Sequence, residues 1–304
     1  MATSITRDVY QQVTDQIIAA MEAGVGKFEM PWHRNGTANG RPVNVLTGNA
    51  YRGVNILTLW ASAENRGFTT GTWGTYRQWQ EKGAQVRKGE KSSLVVFYKQ
   101  YDVEDSSSAE GDEAAGTTRM FARASWVFNA DQVDGWAPPA REPAASPVER
   151  VERAERLALN SGAVIRHGGE QAYYNRGSDH VQMPDVASFT GTATSTATES
   201  YYAVLLHELT HWTGASKRLD RTFGKRFGDD AYAMEELVAE LGAAFMCSSL
   251  GITPTARPDH AAYIDHWLKV MKGDKRAIFT AASKASQAAD YLTAFDTLAR
   301  EAAA

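Results

Sequence analysis

The sequence predicts an α+β protein of two domains, a small α+β module followed by a mainly helical domain with a small sheet, and three observations carry this reading. Residues 9–21 place Val13, Ile17, Ile18 and Met21 at helical spacing, whereas 94–98 and 124–129 are short runs of β-branched and aromatic residues. Pro138, Pro139, Pro143 and Pro147 interrupt the chain among Ala, Glu and Ser, the composition of a linker. Beyond them the apolar periodicity is helical over most of the remaining length. The expected boundaries are a first domain at 1–137, a linker at 138–147 and a second domain at 148–304.

In chain order, helix 9–21 is expected to end at Gly24 and Gly26, and a Gly- and Asn-rich stretch follows at 35–49. The apolar run 54–60 predicts a second helix and 73–80 a third. Strands 94–98 and 124–129 flank an insert at 104–118 in which Glu104, Asp105, Glu110, Asp112 and Glu113 sit among Ser, Ala and Gly, read as a solvated excursion of a hairpin. After the linker come a charged helix at 148–160 and strand-like pieces at 163–165 and 180–184. Helices follow at 201–212 and 232–250, with at least two more from His260 onward.

The 304 residues suffice for two cores, and 43% hydrophobic with 22% charged residues describes a folded chain. No stretch approaches the roughly 20 apolar residues of a membrane span. The first residues lack a basic start followed by an apolar segment, so a cytoplasmic protein without a membrane partner is expected. A single cysteine, Cys247, excludes an internal disulfide and a cysteine-based zinc finger.

The chemistry is concentrated in His207-Glu208-Leu209-Thr210-His211, followed by Trp212-Thr213-Gly214. Positions four apart share a helical face, so the imidazoles of His207 and His211 reach one ion, and Glu208 stands beside them as general base for a water polarised there. A site of this kind needs a third protein donor. Helix 234–245 carries Glu235, Glu236 and Glu240 in an apolar setting, and buried carboxylates require compensation. Glu236 and Glu240 share a stripe with the small residues Ala243 and Cys247, which assigns Glu236 as ligand and Glu240 as an acceptor orienting a ligating histidine. Glu235 is the rival ligand, and pairing of these glutamates with Arg218 or Arg221 is the plain structural alternative. The expected cofactor is one divalent metal, zinc first and manganese second, since imidazole and carboxylate donors tolerate several ions.

On these residues the chain resembles the ArdC-type antirestriction proteins of conjugative plasmids. The resemblance runs through Tyr51-Arg52-Gly53-Val54-Asn55, Trp73-Gly74-Thr75-Tyr76-Arg77-Gln78-Trp79, Gln85-Val86-Arg87-Lys88-Gly89-Glu90-Lys91 and Val127-Phe128-Asn129. It continues through residues 205–214, Arg218-Leu219-Asp220-Arg221 and the helix at 235–245. It implies an N-terminal module that binds single-stranded DNA and a C-terminal zincin-like metallopeptidase domain in which Glu236 completes the metal triad. It also implies protection of incoming plasmid DNA from host restriction, with restriction-system proteins as further partners. The Thr/Ala/Ser-rich stretch 190–199 departs from the family pattern just before the motif helix.

Single strands are held by a basic groove with aromatic platforms. From Arg77 to Lys99 six cations, Arg77, Lys82, Arg87, Lys88, Lys91 and Lys99, face only Glu81 and Glu90. Trp32, Trp73, Tyr76 and Trp79 adjoin these cations and Arg34, which makes Trp32, Arg52, Trp73, Tyr76, Arg77, Trp79, Arg87, Lys88 and Lys91 the candidate DNA contacts. Trp60 and Trp126 stand in apolar runs and are expected to pack. Two other functions fit the same residues: a cytosolic zinc metallopeptidase whose first domain recognises protein substrates, and a replication or primase accessory protein. No cluster of acids suited to two-metal nucleotidyl transfer is apparent.

Overall fold

The computed structural model describes residues 8–24, 30, 32, 40–103, 117–138, 147–192, 195–223, 230–253 and 261–302, and among these eight α-helices and nine strands follow one another. Helix α1 (Val9–Gly24) precedes strand β1 (Val43–Asn44), helix α2 (Val54–Arg66), strand β2 (Thr72–Gly74), helix α3 (Tyr76–Glu81) and strand β3 (Gln85–Val86). The long strands β4 (Ser93–Val103) and β5 (Thr117–Asn129) pair antiparallel, and β6 (Val133–Asp134) follows. The second half comprises α4 (Pro147–Asn160), β7 (Val164–His167), β8 (Tyr173–Asn175), β9 (His180–Met183), α5 (Ala197–Thr213), α6 (Asp230–Leu250), α7 (Ala261–Gly273) and α8 (Ala277–Ala302).

Three sheets result: a four-stranded one in the order β1-β2-β5-β4, a pair β3-β6, and a three-stranded one in the order β7-β9-β8. Most of the acidic insert, 104–116, and of the proline-rich linker, 139–146, lies outside the described residues.

The third helix is shorter than the sequence predicts. Trp73 and Gly74 belong to β2, paired with Asn129 and Phe128 of β5, and the helix starts only at Tyr76. The local reason is a capping box: Gln78 N donates to Thr75 Oγ1 (3.2 Å) while Thr75 N donates to the Gln78 side chain (2.9 Å). Gly74 is required here by close approach, since a Cβ would stand 2.6 Å from Val45 Cγ1 and 3.1 Å from Trp79 Nε1.

One hydrophobic core crosses the linker. It joins Ile17 and Met21 of α1, Ile56 and Trp60 of α2 and Leu94 of β4 to Leu205, Leu237, Phe245, Trp267 and Leu292 of the helical half. Trp60 lies 5.9 Å from Phe245, centroid to centroid, and Tyr10 lies 4.7 Å from Phe279. Helix α8 packs on α4, α5, α6 and α7 and also on α2, so the last helix ties the two halves together. Two smaller cores belong to the first half alone, one around Leu59, Trp73 and Val95 and one around Trp79, Val86 and Val133.

Candidate metal centre

Helix α5 begins four residues earlier than its apolar run suggests. The end of the Thr/Ala/Ser-rich stretch supplies a second capping box, with Glu199 N donating to Thr196 Oγ1 (3.1 Å) and Thr196 N to Glu199 Oε2 (3.0 Å). Leu205, Leu206, Leu209 and Trp212 bury the helix in the core, and His207, Glu208 and His211 are buried with it. Helix α6 packs against it at Gly242, where a Cβ would stand 2.6 Å from Thr210 Cγ2. The close crossing therefore occurs at a glycine, one position before the small residue Ala243 that marked the stripe in the sequence.

This crossing brings His207, His211 and Glu236 together, one donor atom of each lying within 4.8 Å of the others. His207 Nε2 stands 3.5 Å from Glu236 Oε2 and His211 Nε2 stands 3.6 Å from Glu236 Oε1. Donors about 2.0–2.2 Å from a tetrahedral ion stand roughly 3.3–3.6 Å apart, so these separations fit a single divalent cation among the three. The opposite ring nitrogens face other carboxylates. His211 Nδ1 is 3.2 Å from Glu235 Oε1, and His207 Nδ1 is 3.6 Å from Glu240 Oε2.

Glu235, the rival ligand in the sequence, is occupied elsewhere. Arg221 Nε and Nη2 donate to its two oxygens at 3.0 and 2.7 Å, and the same guanidinium donates to Thr213 Oγ1 (2.7 Å) and Thr210 O (2.6 Å). Arg221 is buried, so this fork fixes both Glu235 and the end of α5. Arg218 takes a different partner. It lies over the Trp212 ring at 3.8 Å, donates to Trp212 O at 2.6 Å, and holds Asp179 by Nη1 at 3.2 Å and Nη2 at 2.5 Å. The link fastens the turn after β8 to the motif helix, and neither Asp179 nor this pairing was legible in the sequence.

Four carboxylates, Glu208, Glu235, Glu236 and Glu240, lie around the two imidazoles, with Arg221 paired to Glu235 and Arg176 on the cleft wall. Burial alone would lower the His211 pKa, but the charges of Glu236 and Glu235 outweigh it and push it up to about 10. Burial opposes ionisation of Glu236 as well, yet His211 and His207 hold its carboxyl far below the usual carboxylate range. A divalent cation matches this excess of negative charge. The cleft above the donors encloses about 280 Å³ and is lined by Tyr173, Tyr174, Arg176, Phe223, Tyr232 and Tyr263. Arg176 lies over Phe223 at 4.4 Å, and β8, an edge strand of its sheet, runs along the rim.

Two family models match the chain: the N-terminal domain of anti-restriction factor ArdC over residues 7–128 and a zincin-like metallopeptidase over 152–284. The ArdC protein of plasmid R388 in its metal-free crystal structure is 41% identical, superposes with a TM-score of 0.76, and is matched over 97% of its length and 95% of this chain. The chain belongs to the ArdC antirestriction family. The Mn(II)-bound structure of the same ArdC protein is similar to it at a TM-score of 0.75 and 39% identity, over 98% of that chain and 95% of this one. An uncharacterized protein, y4eC, of Sinorhizobium fredii is 53% identical over 94% of this chain and 92% of its own length. The DNA primase TraC of Escherichia coli is 34% identical over 96% of this chain, which spans only 28% of that longer protein. The mixed α+β architecture, with a zincin-like second half, is thus that of ArdC.

The candidate DNA contacts do not form one surface. Trp32, Trp73 and Trp79 are 1%, 1% and 0% exposed, so they have no face to offer a base. The indoles fill cores: Trp32 lies in the core shared by both halves, Trp73 packs edge-on to Phe68 at 5.8 Å, and Trp79 meets Trp136 at 5.2 Å while its Nε1 donates to Phe128 O (3.0 Å). Trp60 packs as expected, whereas Trp126 is 48% exposed on β5. Tyr76, Arg87 and Lys88 do share a surface, but with Glu90 and Asp134, which pair with Arg87 at 3.0 and 3.4 Å. Arg77 is exposed and pairs with Glu81 one turn on, Lys88 and Lys91 are exposed, and Arg52 forms an ion pair with Asp290 of α8. His260 lies outside the described residues, and His266 Nε2 pairs with Asp230 (2.9 Å) away from the donors. Among the described residues no helix is long and apolar enough to cross a membrane.

Proposed function

We propose that this member of the ArdC family binds single-stranded DNA, protects incoming plasmid DNA from host restriction in the cytoplasm, and carries a zinc metallopeptidase-like site made of His207, His211 and Glu236. The observation that carries the metal reading is the spacing of the three donors, 3.5 and 3.6 Å between each imidazole nitrogen and the Glu236 carboxylate. Two imidazoles and one carboxylate are a zinc donor set. Mn(II) is the second choice, supported by the Mn(II)-bound ArdC structure.

A divalent cation held there supplies Lewis acidity to a water and to a scissile carbonyl. Glu208, buried beside His207, is the residue to accept the water's proton on its carboxylate and return it to the leaving nitrogen. Glu235 and Glu240 orient the two histidines through their Nδ1 atoms.

Metal analysis of the wild type beside His207→Ala and Glu236→Ala tests the donor set, with stoichiometric metal expected only in the wild type. Retained metal in either variant would sink the triad. The DNA half is tested by binding to a labelled single-stranded oligonucleotide at several salt concentrations, where affinity should fall steeply with salt. A second reading, a metallopeptidase acting on protein substrates, is favoured by the edge strand β8 on the rim of the cleft, where an extended peptide can add as a strand. Glu208→Ala separates the two, since it abolishes protection only if cleavage is needed. Likeness to part of a primase supports a replication accessory role less well, because the cluster of His207, His211 and Glu236 is the one metal-binding group of this kind among the described residues.

A further inference from the structure

A groove of about 1060 Å³ shares no lining residue with the cleft above His207 and His211. One wall is the start of α2 with part of β4, and the other is α8. The walls are fastened together where Gly53 N donates to Ser286 Oγ (2.9 Å), and Arg276, just before α8, lies over the Tyr10 ring of α1 at 4.9 Å. Its lining contains three cations, Arg52, Arg276 and Lys284, together with amide side chains, and no carboxylate among the described residues. Phe97 and Tyr98, 49% and 46% exposed, stand on its β4 wall.

That combination selects a ligand class. A groove with cations and no acids accepts phosphates, and half-exposed aromatic rings on one wall accept base faces of any identity. The smaller surface around Arg87 and Lys88 has two carboxylates, Glu90 and Asp134, in its own lining, both paired with Arg87, whereas in the groove one carboxylate from outside the lining, Asp290, pairs with Arg52. We propose that the groove between α2, β4 and α8 is where single-stranded DNA lies, its phosphates against Arg52, Arg276 and Lys284 and its bases against Phe97 and Tyr98. This rests on the reading of the chain as a single-strand binder and adds that both halves build the surface, since Arg276 and Lys284 follow the linker. Asp290, paired with Arg52, acts as a brake that a phosphate must displace.

The test is fluorescence anisotropy of a labelled oligothymidylate with the full chain as a function of salt. Arg276→Gln/Lys284→Gln should bind at least about 10-fold more weakly, and its log–log salt slope should be shallower by about 1.4, roughly 0.7 for each lost phosphate contact. Asp290→Asn should bind more tightly than the wild type, a gain that a folding defect cannot produce. If the wild type binds no single strand, the single-strand reading itself is lost. If the wild type binds and the double variant keeps both affinity and slope, while Lys88→Gln/Lys91→Gln loses them, the groove is overturned and single-strand binding stands.

Discussion

Trp32 Nε1 donates a hydrogen bond to Glu240 Oε1 at 3.3 Å, carrying a side chain of the first half into the support of the metal centre. Glu240 in turn faces His207 Nδ1 with its other oxygen, and Trp32 is wedged against Trp267 at 6.3 Å. A residue expected to stack on DNA is therefore part of the scaffold behind His207. Glu240→Gln should weaken metal binding by about 10-fold or more, the usual effect of removing a carboxylate behind a ligating histidine. Trp32→Phe keeps most of the packing and loses only the donor, so its effect should be smaller and in the same direction. Competition with a chromophoric chelator measures both, and unchanged affinity in Glu240→Gln would remove it from the site.

Glu235 and Glu236 are adjacent in sequence but should behave oppositely. Glu236→Gln should lose stoichiometric metal while folding normally. Glu235→Gln should keep the metal, with reduced affinity, and lose roughly 3 kcal/mol of stability, because the buried Arg221 is left without its carboxylate. Metal content and denaturant unfolding of the two variants, measured together, decide between them.

Much of the candidate metal centre was legible because its information is local. His207, Glu208 and His211 are set by helical spacing alone, and three glutamates in an apolar helix announce compensated charge. The assignment of Arg221 to Glu235 and Arg218 to Asp179 was not legible, because it depends on how the loop after α5 folds back. The same limit explains the tryptophans. A basic neighbour in sequence says nothing about which side of a sheet or helix an indole occupies, and in a small module the core takes the indoles first. The start of α3 was available locally, in Thr75 and Gln78, but the aromatic run around it read as helix. Arg52 and Lys284 line one groove only through the packing of α2 on α8, which no local pattern encodes.

Gly242 sets the distance between the helix of His207 and His211 and the helix of Glu236. Gly242→Ala should destabilise the protein by about 1–3 kcal/mol, since the new methyl meets Thr210 Cγ2 and Oγ1 at 2.6 and 2.8 Å. It should also weaken metal binding by pushing Glu236 away from the histidines. Thr210→Ala removes both clashing atoms, so the double variant should recover most of the loss. A double-mutant cycle read by chemical denaturation checks this, and additive effects would rule out the proposed contact.

Asp179 gives the fold an acid-labile point. Arg218, aided by Lys217 and the Tyr174 hydroxyl, holds its carboxyl well below the usual carboxylate range against the opposing effect of burial. A carboxyl lowered in the folded state stabilises the protein above its unfolded pKa of about 3.9, and that contribution fades as pH falls toward the folded value. Asp179 sits at φ 49°, a conformation asparagine also tolerates, so Asp179→Asn removes the charge without straining the turn. At pH 7 the substitution should cost about 1–2 kcal/mol, the loss of charge-assisted hydrogen bonds to a buried guanidinium. The gap between wild type and variant should narrow as the pH drops below about 4. Urea unfolding across that range measures it, and a gap that stays constant with pH would show that the carboxylate charge is not what holds β8 to the motif helix.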